Sequence, residues 1–115
     1  MTAKATSELE DALAFQMRIA GLPVPIPQFM PIPGRKLAFD FGFPDWRLLI
    51  EVQGGIWTKG KHGRGSGIIQ DQDKLNLAVL NGYFTLQFSV NHIDDGTALR
   101  VIQRAFRVLP KIGRP

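Results

Sequence analysis

The chain of 115 residues has no cysteine, and this absence excludes several kinds of site. Disulfide bonds, thiolate zinc sites and cysteine nucleophiles all require a thiol. Long apolar runs are missing as well, and no segment resembles a signal peptide, so the pattern favours a soluble protein of the cytoplasm. The length predicts a single domain over residues 1–115, because the chain is too short for two hydrophobic cores.

Acidic residues are few: ten Asp and Glu stand against fourteen Lys and Arg, which gives a net charge of +4. Such a charge fits a phosphate-bearing partner, but it also promotes solubility, and charge alone leaves both interpretations open. The basic residues gather in a glycine-rich segment and near the C-terminus: Lys59, Lys61, His62 and Arg64, then Arg100, Arg104, Arg107, Lys111 and Arg114.

The apolar pattern predicts the order helix, strand, strand, helix, strand, helix, hence an α/β domain with a small mixed sheet flanked by helices. Ser7 is expected to cap the first helix, with Glu10 completing a capping box. Residues 23–33 are rich in proline and are expected to be extended, and residues 54–67 to form a glycine-rich basic loop. The other elements are expected at residues 36–43, 46–53, 68–81, 83–90 and 97–109.

Two carboxylates lie in the largely apolar hairpin predicted from residue 36 to residue 53. Pairing Phe43 with Trp46 sets Asp40 opposite Leu49 and diagonal to Glu51. Because side chains alternate across a strand, both acids lie on one face. The other face is apolar and includes Leu37, Phe39, Phe41, Phe43, Trp46, Leu48, Ile50 and Val52.

A divalent-metal site explains this pair best, because unpaired carboxylates are costly on an apolar hairpin. The carbonyl oxygen of Val52 offers a third ligand next to Glu51. The alternative is that Asp40 forms a salt bridge with Lys36 or Arg47 on the same face.

The same residues resemble the core of the PD-(D/E)XK nuclease superfamily, in which a metal-binding Asp precedes an acid-x-Lys on the next strand. Asp40 and the run Glu51-Val52-Gln53 carry this likeness. The segments IEVQGGIWTKGKHGRGSG, D-x-x-K-x-N and GYFTLQFS also resemble small phage and prophage endonuclease-like proteins related to the very-short-patch repair fold. The resemblance extends from Ser7 to about Ile102.

The resemblance implies a restriction-endonuclease-like core and a Mg²⁺- or Mn²⁺-dependent endonuclease that hydrolyses DNA in phage recombination, repair or junction processing. Asp40, Glu51 and the carbonyl of Val52 would hold the metal. Gln53 stands where the superfamily usually has its catalytic lysine, and Lys74 on the following helix is the best substitute. A phage-encoded chain would act in the host cytoplasm.

Several accessory roles stay open. Glu10 matches an acid often found near this metal site, or it serves only the capping box. Asp71 and Lys74 share a helix face, as site residues or as a solvated ion pair. Lys59, Lys61, His62 and Arg64 are expected to engage DNA, with His62 a candidate general base.

Because glutamine cannot carry a positive charge, Gln53 also motivates another class of function, a nucleic-acid-binding module of nuclease ancestry that no longer cuts. A phage accessory protein that binds a host protein is the third possibility. A homodimer stays open, since small nucleases of this type often need two subunits to cut two strands.

Overall fold

The computed structural model describes the backbone of residues 2–53 and 64–112 and the side chains of residues 7–53 and 71–112. The predicted α/β class, with a mixed sheet flanked by helices, is confirmed. The helices are α1 (Thr2–Ile19), α2 (Arg64–Leu80), α3 (Val90–Asp94) and α4 (Thr97–Val108), and the strands are β1 (Ile26–Phe29), β2 (Phe39–Phe43), β3 (Leu48–Gln53) and β4 (Phe84–Ser89). None of these helices is long and apolar enough to cross a membrane.

The four strands lie side by side in the order β1-β2-β3-β4. The first three form an antiparallel meander, and β4 is parallel to β3. A parallel neighbour requires a crossover connection, and α2 lies in this connection. The sheet is therefore mixed, and β1 and β4 form its two edges.

The proline-rich segment contributes a strand that the sequence pattern did not predict. It is extended and packed along the domain, as expected, but β1 also pairs with β2, with Ile26 opposite Gly42 and Phe29 opposite Phe39. Pro27 is compatible with this position, because an edge strand has one side on which no N–H is needed.

Two hydrophobic clusters cover the two faces of the sheet. Leu48 and Ile50 of β3 belong to the larger cluster and Leu49 to the smaller, as alternation along a strand requires. The larger cluster joins α1, α3 and α4 to the sheet through Leu13, Met17, Phe41, Phe43, Val52, Phe88, Ile93, Ala98, Ile102 and Ala105. In the smaller cluster Ala78 of α2 packs against Leu49.

Two predicted boundaries are wrong. The first helix already begins at Thr2, so Ser7 lies inside it and is not its N-cap, and Glu10 does not close a capping box. The predicted loop of residues 54–67 is wrong in its last four residues, because α2 begins at Arg64. In both places the backbone is helical, although a capping residue or glycines would favour a helix end there.

The hairpin keeps its predicted facing, but its register is shifted by two residues. Pro44–Trp46 form a turn of 3-10 helix and Arg47 follows in the left-handed region at φ 52°, so the loop holds four residues. Phe43 therefore pairs with Leu48 rather than with Trp46. Proline cannot adopt the positive φ of a tight two-residue turn, and a longer loop results.

Candidate metal and catalytic site

The longer hairpin loop brings Asp40 beside Glu51. The observed register of β2 and β3 ends with Phe41 opposite Ile50, and the two acids follow directly beyond this pair, with a hydrogen bond between their side chains. The predicted pairing of Asp40 with Leu49 is wrong, since Gly42 is opposite Leu49. The predicted proximity of the two acids therefore does not depend on that pairing.

Asp40 also forms a hydrogen bond that the sheet would otherwise make through its backbone. The N–H of Val52 donates to Oδ2 of Asp40 at 2.6 Å, so a carboxylate closes this end of the ladder between β2 and β3. Strand alternation breaks at the same point. Phe39 is fully buried in the smaller cluster beside Leu49, and its predicted position on the face of Phe41 is wrong.

This hydrogen bond also places the backbone of Val52 beside the acids. In an antiparallel ladder the N–H and the C=O of one residue point to the same side of the strand. The carbonyl oxygen of Val52 is therefore directed to the β2 side, where Asp40 lies. This is the position that a third oxygen ligand beside Asp40 and Glu51 requires.

Lys74 of α2 reaches across to the sheet and contacts Glu51. Its Nζ donates a hydrogen bond to Oε2 of Glu51, and it lies 4.5 Å from the centre of the Phe39 ring. The aliphatic part of a lysine packs readily on apolar surface while the ammonium group stays polar. Because Phe39 is immobilised in the core, it fixes where the Lys74 amine points.

Glu10 of α1 approaches Asp40 from the other face of the sheet. Partial burial, the charge of Asp40, a hydrogen bond shared with Asp40 and the charge of Asp11 together raise the pKa of Glu10 to about 7. With the capping box excluded, the proximity to Asp40 is the feature that distinguishes this acid.

Burial likewise raises the pKa of Glu51 to about 7. The hydrogen bond and charge of Lys74 act in the opposite direction, whereas Asp40 adds to the increase. Three carboxyl groups thus share limited space with one ammonium group. A bound cation would relieve the repulsion among them.

Gln28 of β1 also contributes to the site, although the sequence pattern does not predict it. Its side-chain amide donates to Oε1 of Glu10 at 3.5 Å, and its backbone has a left-handed φ of 50°. A non-glycine residue in that region is uncommon and marks a constrained site. The sequence contains one indication of this role, because Gln28 is the sole polar side chain between Pro23 and Pro33.

The salt bridges considered as the alternative for Asp40 are not formed within the described part of the chain. The guanidinium of Arg47 lies over the Tyr83 ring at 5.2 Å and Nη1 donates to the carbonyl of Asn81 at 3.4 Å. Lys36 is exposed. Asp40 is instead held by the Val52 N–H.

The structure gives the positions of only some of the remaining predicted site residues. Gln53 ends β3, half-buried and opposite Ser89 in β4, on the strand face of Glu51. Asp71 is half-buried one helical turn before Lys74. Lys59, Lys61 and His62 lie outside the described residues, as does the side chain of Arg64.

The donor set at Asp40 fits a Mg²⁺ ion, which prefers oxygen ligands and usually keeps several waters. Among residues 7–53 and 71–112, no group of three or more His, Asp or Glu side chains is arranged to enclose a metal by itself. Within these residues the site therefore offers two carboxylates and a backbone carbonyl, with water completing the coordination.

The site thus joins acids from α1, β2 and β3 to a lysine from α2, all of them half-buried. Such a set can hold a divalent cation, exchange a proton near neutral pH and present a positive charge to an anionic substrate. Comparisons of the chain with family models, with curated proteins and with solved structures find no match.

Proposed function

We propose that the chain is a metal-dependent endonuclease that hydrolyses DNA phosphodiester bonds, with a restriction-endonuclease-like core of the PD-(D/E)XK type. The observation that carries this proposal is the contact between the carboxyl groups of Asp40 and Glu51, with the amine of Lys74 at Glu51. The sheet order is compatible with such a core. The net positive charge suits a polyanionic substrate.

In this proposal Asp40, Glu51 and the Val52 carbonyl hold Mg²⁺ or Mn²⁺. When bound, the ion lowers the pKa of a coordinated water and stabilises negative charge on the phosphate oxygens. The Val52 N–H keeps the Asp40 carboxylate oriented, since this hydrogen bond fixes one of its two oxygens.

Lys74 takes the part of the lysine that Gln53 replaces. Its ammonium group lies beside Glu51, so it can stabilise a developing phosphate charge next to the metal ligands. Gln53 is neutral and lies on the same strand face as Glu51. Its amide therefore serves to orient the attacking water rather than to stabilise charge.

DNA would bind to positively charged side chains on the protein surface. Helix α4 carries Arg100, Arg104 and Arg107 and no acidic residue. Phosphate contacts made by such residues weaken as salt rises, because condensed counterions are no longer released as favourably. The basic residues at positions 59–64 belong to the same proposal.

Cleavage of plasmid and branched DNA with Mg²⁺ or Mn²⁺ tests the proposal. Replacing Glu51 by Gln or Asp40 by Asn removes a metal-binding charge, and we expect cleavage to fall by about a hundredfold or more. Glu8→Gln, an exposed acid on α1, is the matched control and keeps wild-type cleavage. Equal cleavage by all four proteins would falsify the assignment.

Lys74 separates an active site from a site that only binds a cation. Lys74→Ala removes a competitor for Glu51, so Mg²⁺ affinity, measured by calorimetry, should stay equal or increase while cleavage is lost. Lys36→Ala, an exposed lysine before β2, should change neither quantity. Undiminished cleavage by Lys74→Ala contradicts the catalytic role.

The alternative is a nucleic-acid-binding module of nuclease ancestry that no longer cuts, and Gln53 favours it. It predicts DNA binding that weakens steeply with salt, and no cleavage of duplex, branched or single-stranded DNA with either metal. Measuring binding and cleavage on the same substrates distinguishes the two functions.

A further inference from the structure

Helix α1 and the proline-rich segment that follows it enclose a cavity of about 360 Å³. Phe41 of β2, which is buried, belongs to its lining, and so does Glu10, whose carboxyl group is hydrogen-bonded to Asp40. The cavity is therefore joined to the proposed metal site through one shared side chain. Its volume suits a small ligand, since pockets that bind small molecules range from about 300 to 1,000 Å³.

The path of the chain after α1 creates this cavity. Gly21 has a φ of 75°, its N–H donates to the carbonyl of Arg18 at 3.0 Å, and the N–H of Leu22 donates to the carbonyl of Met17 at 3.1 Å. These two hydrogen bonds are the Schellman arrangement that ends a helix and turns the chain. The segment then runs back beside α1, and the cavity is the space between them.

The walls of the cavity are rigid and apolar. On the segment, Pro23, Pro25 and Pro27 line it, as alternation along an extended chain allows. On α1 it is lined by Ala14, whose small side chain leaves the space open. Proline and alanine lose no side-chain entropy when a ligand binds, so the cavity is preformed for a flat apolar ring.

The charged residues of α1 give the cavity two unlike ends. Asp11 and Arg18 both line it, and they are seven residues apart, which is about 10 Å along the helix axis on nearly the same side. Glu10 adds a second carboxyl group at the end of Asp11, and the guanidinium of Arg18 lies over the exposed Phe15 ring at 5.6 Å. A matching ligand has hydrogen-bond donors at one edge, acceptors at the opposite edge and apolar faces between them.

Guanine is the DNA base whose edges have this arrangement. Its Watson–Crick edge carries two neighbouring donors, N1–H and N2–H₂, which one carboxylate can accept together. Its other edge carries the acceptors O6 and N7, which arginine contacts more often than any other base atoms. Adenine has a donor beside N7, which opposes an arginine, thymine has no amine to donate to a carboxylate, and cytosine has no N7.

We propose that this cavity binds an unpaired guanine of the DNA substrate, with Asp11 accepting N1–H and N2–H₂, Arg18 donating to O6 and N7, and the proline rings against the faces of the base. The inference rests on the proposed function, because the base belongs to the strand whose phosphate lies at the metal site. A paired guanine has its Watson–Crick edge occupied, so only a base that is unpaired or turned out of the duplex fits. The preferred substrate class is therefore branched or single-stranded DNA that contains guanine, rather than perfect duplex.

Two other occupants match fewer of these features. A divalent cation would use the carboxyl groups of Glu10 and Asp11 but neither Arg18 nor the apolar walls. An extended peptide needs an open groove several residues long, whereas this cavity has room for one ring system.

Titration of the metal-free chain with deoxynucleoside monophosphates, followed by ¹⁵N-edited NMR, tests the cavity without any cleavage. We expect dGMP to bind at least about tenfold more tightly than dAMP, dCMP or dTMP, with shifted amides in residues 11–18 and 24–28. The analogue dIMP lacks the N2 amine and 7-deaza-dGMP lacks N7, so each should bind about tenfold more weakly than dGMP.

Substitutions on α1 identify the cavity as the binding site. Ala14→Leu fills the cavity without changing the charge and Asp11→Ala removes the acceptor, so each should weaken dGMP binding at least about tenfold. Ala12→Leu is the matched control, because Ala12 is an exposed alanine of α1 that does not line the cavity, and its dGMP affinity should equal that of the wild type. Asp11 is exposed, so its variant tests the cavity even where Ala14→Leu impairs folding.

Three results overturn the proposal: equal affinities for the four nucleotides, an unchanged dGMP affinity in both cavity variants, or the same amide shifts produced by Mg²⁺ alone. Cleavage assays separate this inference from the proposed function. If single strands with and without guanine are cut equally, the cavity proposal fails and the nuclease assignment stands. If dGMP binds as described and no DNA is cut, the guanine site stands and belongs to the non-cutting module.

Discussion

Asp40 interacts with a backbone N–H and two other acids through one carboxylate. It accepts the Val52 N–H, and its charge raises the pKa of both Glu10 and Glu51. This triple role depends on how three separate segments meet. The hairpin pattern indicated Asp40 and Glu51 as site residues, and the family resemblance added Lys74 and offered Glu10 as an acid near the site or as part of a capping box.

We expect Asp40→Asn to lower the pKa of both glutamates. Asparagine retains an oxygen that can accept the Val52 N–H but removes the negative charge. Burial is the larger cause for both groups and persists, so the values should move only part of the way from about 7 towards 4.5. Carboxyl-carbon NMR titration measures this shift, with Asp94→Asn on α3 as the control. Unchanged values would contradict the contact with Asp40.

At the scale of elements, β1 depends on a glycine in the neighbouring strand. A side chain on Gly42 would place its Cβ 2.7 Å from Cβ of Phe29 and closer still to the ring. Phe29 therefore lies flat on the backbone of β2, with its ring 6.3 Å from that of Tyr83. This close approach is what lets a proline-rich segment dock as a strand.

Gly42→Ala should destabilise the fold by about 1–3 kcal/mol, since the added methyl overpacks this contact. Urea unfolding measures the change. In a Phe29→Gly background the same substitution should cost much less, because both the clashing ring and the clashing Cβ of residue 29 are gone. Equal costs in both backgrounds would show that Phe29 is not the cause.

The elements also show what a pattern can and cannot predict. The facing of the hairpin up to Phe41 and Ile50 was predictable because strand alternation survives any even change in loop length. The register was not, since it depends on the 3-10 turn at Pro44–Trp46 and the left-handed Arg47. Strand β1 was missed because prolines usually argue against pairing.

At the scale of the whole molecule, the raised pKa of Glu51 links stability to pH. The folded state holds a proton up to about pH 7 that the unfolded state releases near 4.5. Between these values the unfolded chain binds fewer protons, so the free energy of unfolding falls as pH rises. The full contribution is present below about 4.5 and is lost above about 7.

We therefore expect metal-free protein to be less stable at pH 8 than at pH 5, with Glu51 contributing on the order of 2 kcal/mol to the difference. Thermal unfolding across this range measures it, and Glu51→Gln should flatten the profile. Mg²⁺ should stabilise the wild type more at pH 8 than at pH 5, because ligands bind metal when deprotonated. A wild-type profile that coincides with that of Glu51→Gln would contradict this link.

The global architecture was the most predictable level. The types and order of the six predicted elements followed from hydrophobic periodicity, since each stripe must be buried against a partner, whereas β1 did not. The strand order and the short helix α3 did not follow, because they depend on pairings between segments distant in sequence.

The hydrogen bond from Val52 to Asp40 bears on how this position tolerates change over evolution. Because Asp40 accepts this hydrogen bond at the end of the strand ladder, its side chain serves the fold independently of any chemistry at the site. Aspartate or asparagine at position 40 would therefore persist in active and inactive relatives alike. Its identity alone would be a poor indicator of the proposed catalysis, and Lys74, whose loss leaves both proposed metal ligands in place, is the position that would distinguish the two.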